Sequence, residues 1–399
     1  MTTAVLTHRL ESSSFADTAL KAATRFWFAV TVAGQLIFAL ALASYYGGAT
    51  LRGDYLAWGK FFSHGYVPGD RMGNLAMFMH VLTAAVVLLS GAVQLVPVVR
   101  NRFPFFHRWN GRLYMLAALG VSSAGMYMTW FRSNVGSVGQ HIGSTLDAVL
   151  IWYCGAMALR YAVARDFRLH RRWAMRFFLV VSASLFIRIM LFVTLMALSS
   201  TVGFDPMSLS GSLLTSMTFA QYLVPLAILE LYFLAQDRPS ATRSLATAGV
   251  LFVSTLVMIA GIFAVSMAIW VPQVKAGLDS RKSIAQELAA TIKSKGLDAA
   301  VKQYHDLKAA NSSQYNFDEG QLNSLGYGLI KAHKFKEAIG VLQLNVEAYP
   351  KSANVHDSLG EAYIDDGDRE LAIAQYEKSL ALNPKNANAV KMLKRIGAR

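Results

Sequence analysis

The sequence predicts an all-α protein in two parts, a seven-helix transmembrane bundle followed by a helical repeat solenoid. Three observations predict it. Of the 399 residues 54% are hydrophobic and only 16% charged, and a mean hydropathy of +0.36 is too apolar for a soluble chain of this length. The apolar residues gather in long runs within the first 270 positions. After Trp270 the composition turns polar, and a period of 34 residues appears.

The formal charge of +14 raises the nucleic-acid class, which calls for basic residues clustered on a polar domain. The first 270 residues instead carry 20 cations against 9 acids, set in short loops between apolar runs, and the tail carries 18 against 15. No nucleic-acid partner is expected. The lone Cys154 excludes an internal disulfide and a cysteine-based structural zinc site.

Residues 1–25 carry Glu11 and Asp17 and lack a cleavage pattern, so they read as the cytoplasmic N-terminal segment of an uncleaved anchor. The apolar runs span roughly 26–46, 74–96, 111–131, 141–162, 175–199, 212–236 and 245–270. Each is long enough, at about 20 residues, to cross a hydrocarbon core of about 30 Å, and together they make a transmembrane domain over 26–270. Fifteen Lys and Arg residues fall in one set of short segments, among them Arg9, Arg25, Arg100, Arg165, Arg168, Arg238 and Arg243. The other set holds four: Arg52, Lys60, Arg71 and Arg132. Cations are retained on the cytoplasmic side. The N-terminus is therefore expected in the cytoplasm and the tail outside it, across a bacterial plasma (inner) membrane.

Within the tail, Leu325, Gly326, Ala338 and Pro350 recur 34 residues later as Leu359, Gly360, Ala372 and Pro384. Small residues let two antiparallel helices approach, and each proline ends the second of them. On these residues the tail resembles the tetratricopeptide family over 285–399, after a linker at 271–284. Ala300 and Tyr304 mark a degenerate first repeat, and 387–399 a capping helix. His356 stands where the family favours a bulky aromatic, and Asn345 where it favours Ala.

Polar residues inside membrane spans carry functional information because burying them in lipid is expensive. His80 and Asp147 lie at similar depth in the second and fourth spans, which suggests a His–Asp pair. His141 stands at the outer edge of the fourth span and His64 in the first outer loop. His80 and His141 are candidate ligands for haem b or a metal, although their heights differ by roughly 9 Å. Arg188, mid-span, requires a counter-charge, and Glu230 is the nearest acid in sequence at a height difference of roughly 12 Å. That pair suggests a small-molecule carrier or sensor.

Two cytoplasmic strings are related: His107-Arg108-Trp109-Asn110-Gly111-Arg112 and His170-Arg171-Arg172-Trp173-Ala174-Met175-Arg176. Each combines indole with guanidinium at headgroup level, an anchor for membrane lipid, and the two together would form a cationic pocket if the loops meet. On these strings, with His80, Arg188 and Glu230, residues 74–235 resemble a family of multi-pass bacterial membrane proteins that has no assigned reaction. The resemblance implies membrane architecture and no substrate.

A tetratricopeptide groove is lined by first helices, here by Asn323, Tyr327, Asn354, Asp357 and Glu361. This polar, partly acidic set lacks the Lys and Arg that clamp a carboxylate terminus and favours a basic or hydroxyl-rich protein segment. With no nucleophile, phosphate loop or acid–base pair in view, the expected function is protein–protein interaction or assembly at the membrane rather than catalysis. A haem-binding redox protein is the alternative.

Overall fold

The structure, a computed structural model, describes residues 2–59, 65–67, 69–132, 136–198, 211–310 and 313–397. The chain divides into two units, one of Met1–Tyr45 and Leu75–Gly277, the other of Tyr46–Asn74 and Leu278–Arg399.

The apolar half is helical because a chain in lipid must satisfy its backbone groups within its own segments. Helix α1 (Thr2–Leu42) runs through a wide π-helical turn at Ala43–Gly47 into α2 (Gly48–Leu51). Then come α3 (Arg71–Leu95), α4 (Pro97–Arg102), α5 (Pro104–Tyr127), α6 (Val138–Val163), α7 (Phe167–Val181), α8 (Ala183–Leu198), α9 (Ser212–Asp237), α10 (Ala241–Val265) and α11 (Val271–Leu278). Among the described residues, five continuous helical stretches are long and apolar enough to cross a membrane: Phe15–Leu51, Arg71–Leu95, Val138–Val163, Ser212–Asp237 and Ala241–Leu278. Helices α7 and α8 pass the same test only together and are bent by 51° at their break, the geometry of a broken span or a re-entrant loop. Helix α5 covers most of the expected run 111–131 but is less apolar, diluted by Gly120, Ser122, Ser123, Gly125 and Tyr127, so the count of seven turns on it.

The bend between α7 and α8 has a local cause at Ser182. Its hydroxyl donates to the Phe178 carbonyl at 2.7 Å and accepts from Gln35 Nε2 at 2.8 Å, so a side chain enters the helical ladder where the axis turns. Between membrane helices, where lipid is as apolar as leucine, close approach replaces hydrophobic drive. A Cβ on Gly261 of α10 would stand 2.6 Å from Ile189 Cγ2, and one on Gly277 of α11 would stand 2.1 Å from the Ser44 carbonyl oxygen. The α5–α6–α7–α9 core holds Tyr114, Ala118, Ile151, Cys154, Phe177 and Tyr222.

The second unit is built from helical hairpins: α12 (Ile284–Lys295) with α13 (Leu297–Ala309), α14 (Glu319–Lys331) with α15 (Phe335–Ala348), and α16 (Ala353–Asp366) with α17 (Arg369–Leu382), followed by α18 (Ala387–Arg395). Strands β1 (Lys282–Ser283) and β2 (Tyr315–Asn316) pair in parallel and tie the segment after α13 to the start of α12. Gly326 and Gly360 let Leu342 and Tyr376 of the partner helices close on α14 and α16, as their repeat positions predict. The two departures from the repeat pattern are both buried, His356 with partners on both ring nitrogens and Asn345 with partners for its Nδ2 alone, its Oδ1 finding none among the described residues. His356 bonds the Gln375 amide at 2.8 Å and the Pro350 carbonyl at 3.2 Å, and Asn345 Nδ2 donates to the Glu319 carbonyl at 3.0 Å.

The segment between the first two membrane helices gathers with the repeat hairpins rather than with the bundle. The 3-10 turn Tyr55–Gly59 packs on α14, and Gln286 Nε2 of α12 donates to the Gly53 carbonyl at 2.8 Å. Asp54 is buried there, accepting from the Ala57 N–H. The stretch 271–284, expected as a linker, contains helix α11 and strand β1.

Candidate functional site

Three groups of polar residues stand out: the arginine strings, the isolated polar groups of the spans, and the first-helix face of the repeats. In the second string, Arg168, Arg172 and Arg176 recur at helical spacing along α7 and face α9. Arg172 forms a forked pair with Asp237, joined at 3.5 Å by Arg168. Arg176 donates to Glu230 at 2.7 Å through Nε and contacts the same oxygen through Nη2. The Phe233 ring lies under the guanidinium groups of both Arg172 and Arg176, at 4.7 and 5.0 Å. A guanidinium fork matches a carboxylate and stacks on an aromatic face at once, so this string serves first as a clasp between α7 and α9.

The structure corrects the pairing expected for Arg188: Glu230 is held by Arg176. Arg188 donates to the Ser184 carbonyl one turn back and lies 4.6 Å over the Phe38 ring. The reason is geometric, because Arg176 starts near the level of Glu230 and Arg188 stands about three turns farther along the helix.

The expected His80–Asp147 pair is likewise absent among the described contacts. His80 Nδ1 bonds the Val121 carbonyl on α5 at 2.9 Å, while Asp147 lies on α6 near Cys154 and Tyr222. The Asp147 Oδ1 and the Tyr222 hydroxyl are buried without a hydrogen-bond partner among the described residues. His141 meets the Trp130 ring edge-on at 5.4 Å, so His80 and His141 engage different groups. Among the described residues no three His, Cys, Asp or Glu side chains converge as a metal cluster. His64 lies outside the described residues.

The two basic strings come within electrostatic reach of each other at His107 and His170, and Arg100 also acts on His107. His170 Nδ1 bonds the Ala158 carbonyl at 2.8 Å, and Gln94 Nε2 donates to the His107 carbonyl at 3.0 Å. In each string an arginine covers the tryptophan three residues before it, Arg112 over Trp109 and Arg176 over Trp173, both at 4.7 Å. Arg108, Arg112 and Arg171 remain exposed.

In the repeats, the five expected groove residues fall into two hydrogen-bonded groups, Tyr327, Asp357 and Glu361 in one and Asn323 and Asn354 in the other. Tyr327 donates to Glu361 at 2.7 Å and lies 3.2 Å from Ser358; Asn388 Nδ2 reaches both Asp357 at 2.7 Å and Glu361 at 2.8 Å. Asn386 donates to Asp357 at 3.1 Å, Asn354 to Glu319 at 2.8 Å, and Asn345 to Asn323 at 3.2 Å. Burial holds the Asp357 carboxyl above the ordinary carboxylate range. Burial does the same for Glu361, opposed by the hydrogen bonds from Tyr327 and Asn388 and reinforced by the neighbouring Asp357 charge. The start of α18 thus occupies the acidic part of the face, and the α14–α16 edge at Glu319, Asn323 and Asn354 is what stays open. Sequence reading did not foresee the asparagines of α18 as occupants, and it missed Asp237. A search for acids one helical stripe away from the arginines would have found Asp237.

A multi-span helical bundle joined to tetratricopeptide hairpins defines a class, a membrane-anchored repeat protein. Comparison with known proteins agrees: residues 77–224 match the family described as "Predicted membrane protein (DUF2306)", and residues 353–386 match the tetratricopeptide repeat. The chain carries both domains. It is also similar to cellulose synthase operon protein C of Escherichia coli strain K12 and to its counterpart in Escherichia coli O157:H7, each 34% identical over 103 residues. That similarity covers 23% of this chain and 9% of those proteins. No solved structure matches it.

Proposed function

We propose that this protein is an assembly module of the bacterial plasma membrane, in which the helical bundle holds the tetratricopeptide hairpins at the extracytoplasmic surface to bind a protein partner. The observation that carries the reading is the second unit itself, in which the segment between the first two membrane helices is built into the repeat body. Joined in this way, repeat and loop share one face of the membrane, and the arginine-rich loops assign the other face to the cytoplasm. The partner contacts the α14–α16 edge, where Glu319, Asn323 and Asn354 present acceptors and no cation, a lining suited to a basic or hydroxyl-rich segment. The relatives' operon is not carried over, since so small a share of their length is matched.

A photo-crosslinking residue at Asn354, in membranes of expressing cells, is expected to capture a protein whose contacting segment is rich in Lys, Arg, Ser or Thr. The double substitution Glu319→Lys with Asn354→Lys is expected to abolish capture through an unchanged second site on α14, while leaving membrane insertion and thermal stability within about 1 kcal/mol. Equal capture by the charge-reversed protein would overturn the reading.

A further inference from the structure

We infer that the exposed face of α5 binds one anionic phospholipid, its phosphate held by Arg108 and Arg112 and its chains laid along the leucines that follow. Helical spacing assembles this face. At 3.6 residues per turn Phe105, Arg108, Trp109, Arg112, Leu116 and Leu119 fall within roughly a third of the helix circumference, and all six are exposed. The opposite face, with Tyr114, Ala117 and Ala118, is buried in the bundle core. Along the helix the order is that of a phospholipid. The arginines and Trp109 come first, and the leucines continue to Leu119, about 16 Å beyond Arg108 and roughly half the thickness of a hydrocarbon core. Arg108 and Arg112 bracket the start of the apolar run 111–131, where a headgroup belongs.

The charge of the face selects the headgroup. No Asp or Glu occurs between Asp70 and Asp147, so the segment that carries Arg100, Arg102, Arg108 and Arg112 offers no carboxylate to the amine of a zwitterionic lipid. The acids of the neighbouring helices are engaged elsewhere: Glu230 by Arg176, Asp237 by Arg172, and Asp166 by the Leu169 N–H at the start of α7. Asp147 is in the first half of α6, which follows from the other end of α5. Arg108 and Arg112 themselves form no hydrogen bond or ion pair among the described residues. Arg112 lies 4.7 Å over the Trp109 ring, and a guanidinium stacked in this way keeps its in-plane N–H groups for a phosphate. Phe105 meets the same indole edge-on at 6.3 Å, so the platform under Arg112 is set before a ligand arrives. A second copy of the chain would bring the same cations against these and is repelled. The inference needs α5 in the bilayer and does not depend on what the repeat hairpins bind.

The test is native mass spectrometry of the full-length, delipidated protein in mild detergent, offered phosphatidylglycerol and phosphatidylethanolamine in equal amounts. The expected result is one retained phosphatidylglycerol per chain, not displaced by millimolar inorganic phosphate. Retention should fall by about tenfold or more in the Arg108→Gln, Arg112→Gln double variant. The Arg108→Lys, Arg112→Lys pair keeps the charge and loses the forks, and should retain an intermediate amount. Leu116→Asn with Leu119→Asn, which touches no charge, should also lower retention. Equal retention of the two lipids by the wild type, undiminished phosphatidylglycerol in the glutamine variant, or displacement by phosphate alone would each overturn the assignment. So would a dimer mass in place of the lipid adduct, since the face would then belong to a second copy. Thermal unfolding of each variant separates a lost site from a lost fold. Because the assay involves no protein partner, its failure leaves the assembly reading standing, and failed crosslinking at Asn354 leaves this one.

Discussion

At the scale of single residues, charge pairing decides which sequence readings hold. Arg176 and Arg188 stand twelve residues apart in the chain, and the sequence contained both Glu230 and the height mismatch that argued against Arg188 as its partner. What it did not contain was the rotational setting of α9, which turns Glu230 and Asp237 toward α7. Replacing Arg176 with Lys keeps the charge but loses the fork and the flat stack on Phe233 and Trp173. Thermal unfolding in detergent is expected to register a loss of about 1 kcal/mol, and Glu230→Gln should add little once Arg176 is gone. Additive losses would show that the two residues act apart. A second residue-scale prediction concerns the pair Asp357 and Glu361. Both carboxyls are raised above the ordinary range by burial, so the folded state binds their protons more tightly than the unfolded one. Their contribution is therefore favourable at pH below about 4 and is lost as pH rises through the raised folded values. In Glu361→Gln the decline of the melting temperature between roughly pH 4 and 7 should be shallower than in the wild type. An identical pH slope would refute that origin.

At the scale of elements, helix type and repeat period were legible because they are written in composition and spacing, while contacts between distant elements were not. The period of 34 marked Gly360 as a close-approach position between paired helices before any coordinates, because a repeat encodes its own neighbours, and the side chain that closes on it is Tyr376. Nothing comparable placed Gly277 against Ser44, since α1 and α11 are joined only through folding. That contact makes the sharper prediction. A methyl group on Gly277 would stand 2.1 Å from a carbonyl oxygen, and backbone cannot swing aside as a side chain can. Gly277→Ala should cost about 3 kcal/mol or more. The control is Gly249, in the middle of α10, where an added Cβ meets nothing within 4 Å and alanine is the better helix former. Gly249→Ala should be neutral or stabilise by up to about 1 kcal/mol. Equal melting temperatures for the two variants would remove the close packing of the first and last helices.

At the scale of the whole molecule, topology follows from parity. If loop 46–74 and the tail, which share one unit, lie on one face of the membrane as proposed, the chain crosses an even number of times between them. Four single helices long and apolar enough to cross, α3, α6, α9 and α10, would already satisfy this, which would leave α5 and the bent pair α7–α8 either both crossing or both not. If neither crossed, Arg160 to Arg176 would lie on the same side as the repeat hairpins and opposite to Arg100 to Arg112, against the rule that retains cations in the cytoplasm. Both crossing would put every arginine-rich loop on one face, and we propose on that ground the seven spans that hydropathy alone leaves one short. The deciding position is Val138, exposed at the first residue of α6. In a Cys154→Ser background, single cysteines at Leu51, Val138 and Asn354 should all react with a membrane-impermeant maleimide in intact spheroplasts. One at Arg238 should react only after permeabilisation. If Leu51 and Asn354 label from outside while Val138 requires permeabilisation, α5 lies on the cytoplasmic side and the bundle has five crossings. If Leu51 and Asn354 differ from each other, the unit that joins loop to repeat does not exist in the membrane, and the placing of the repeat domain falls with it.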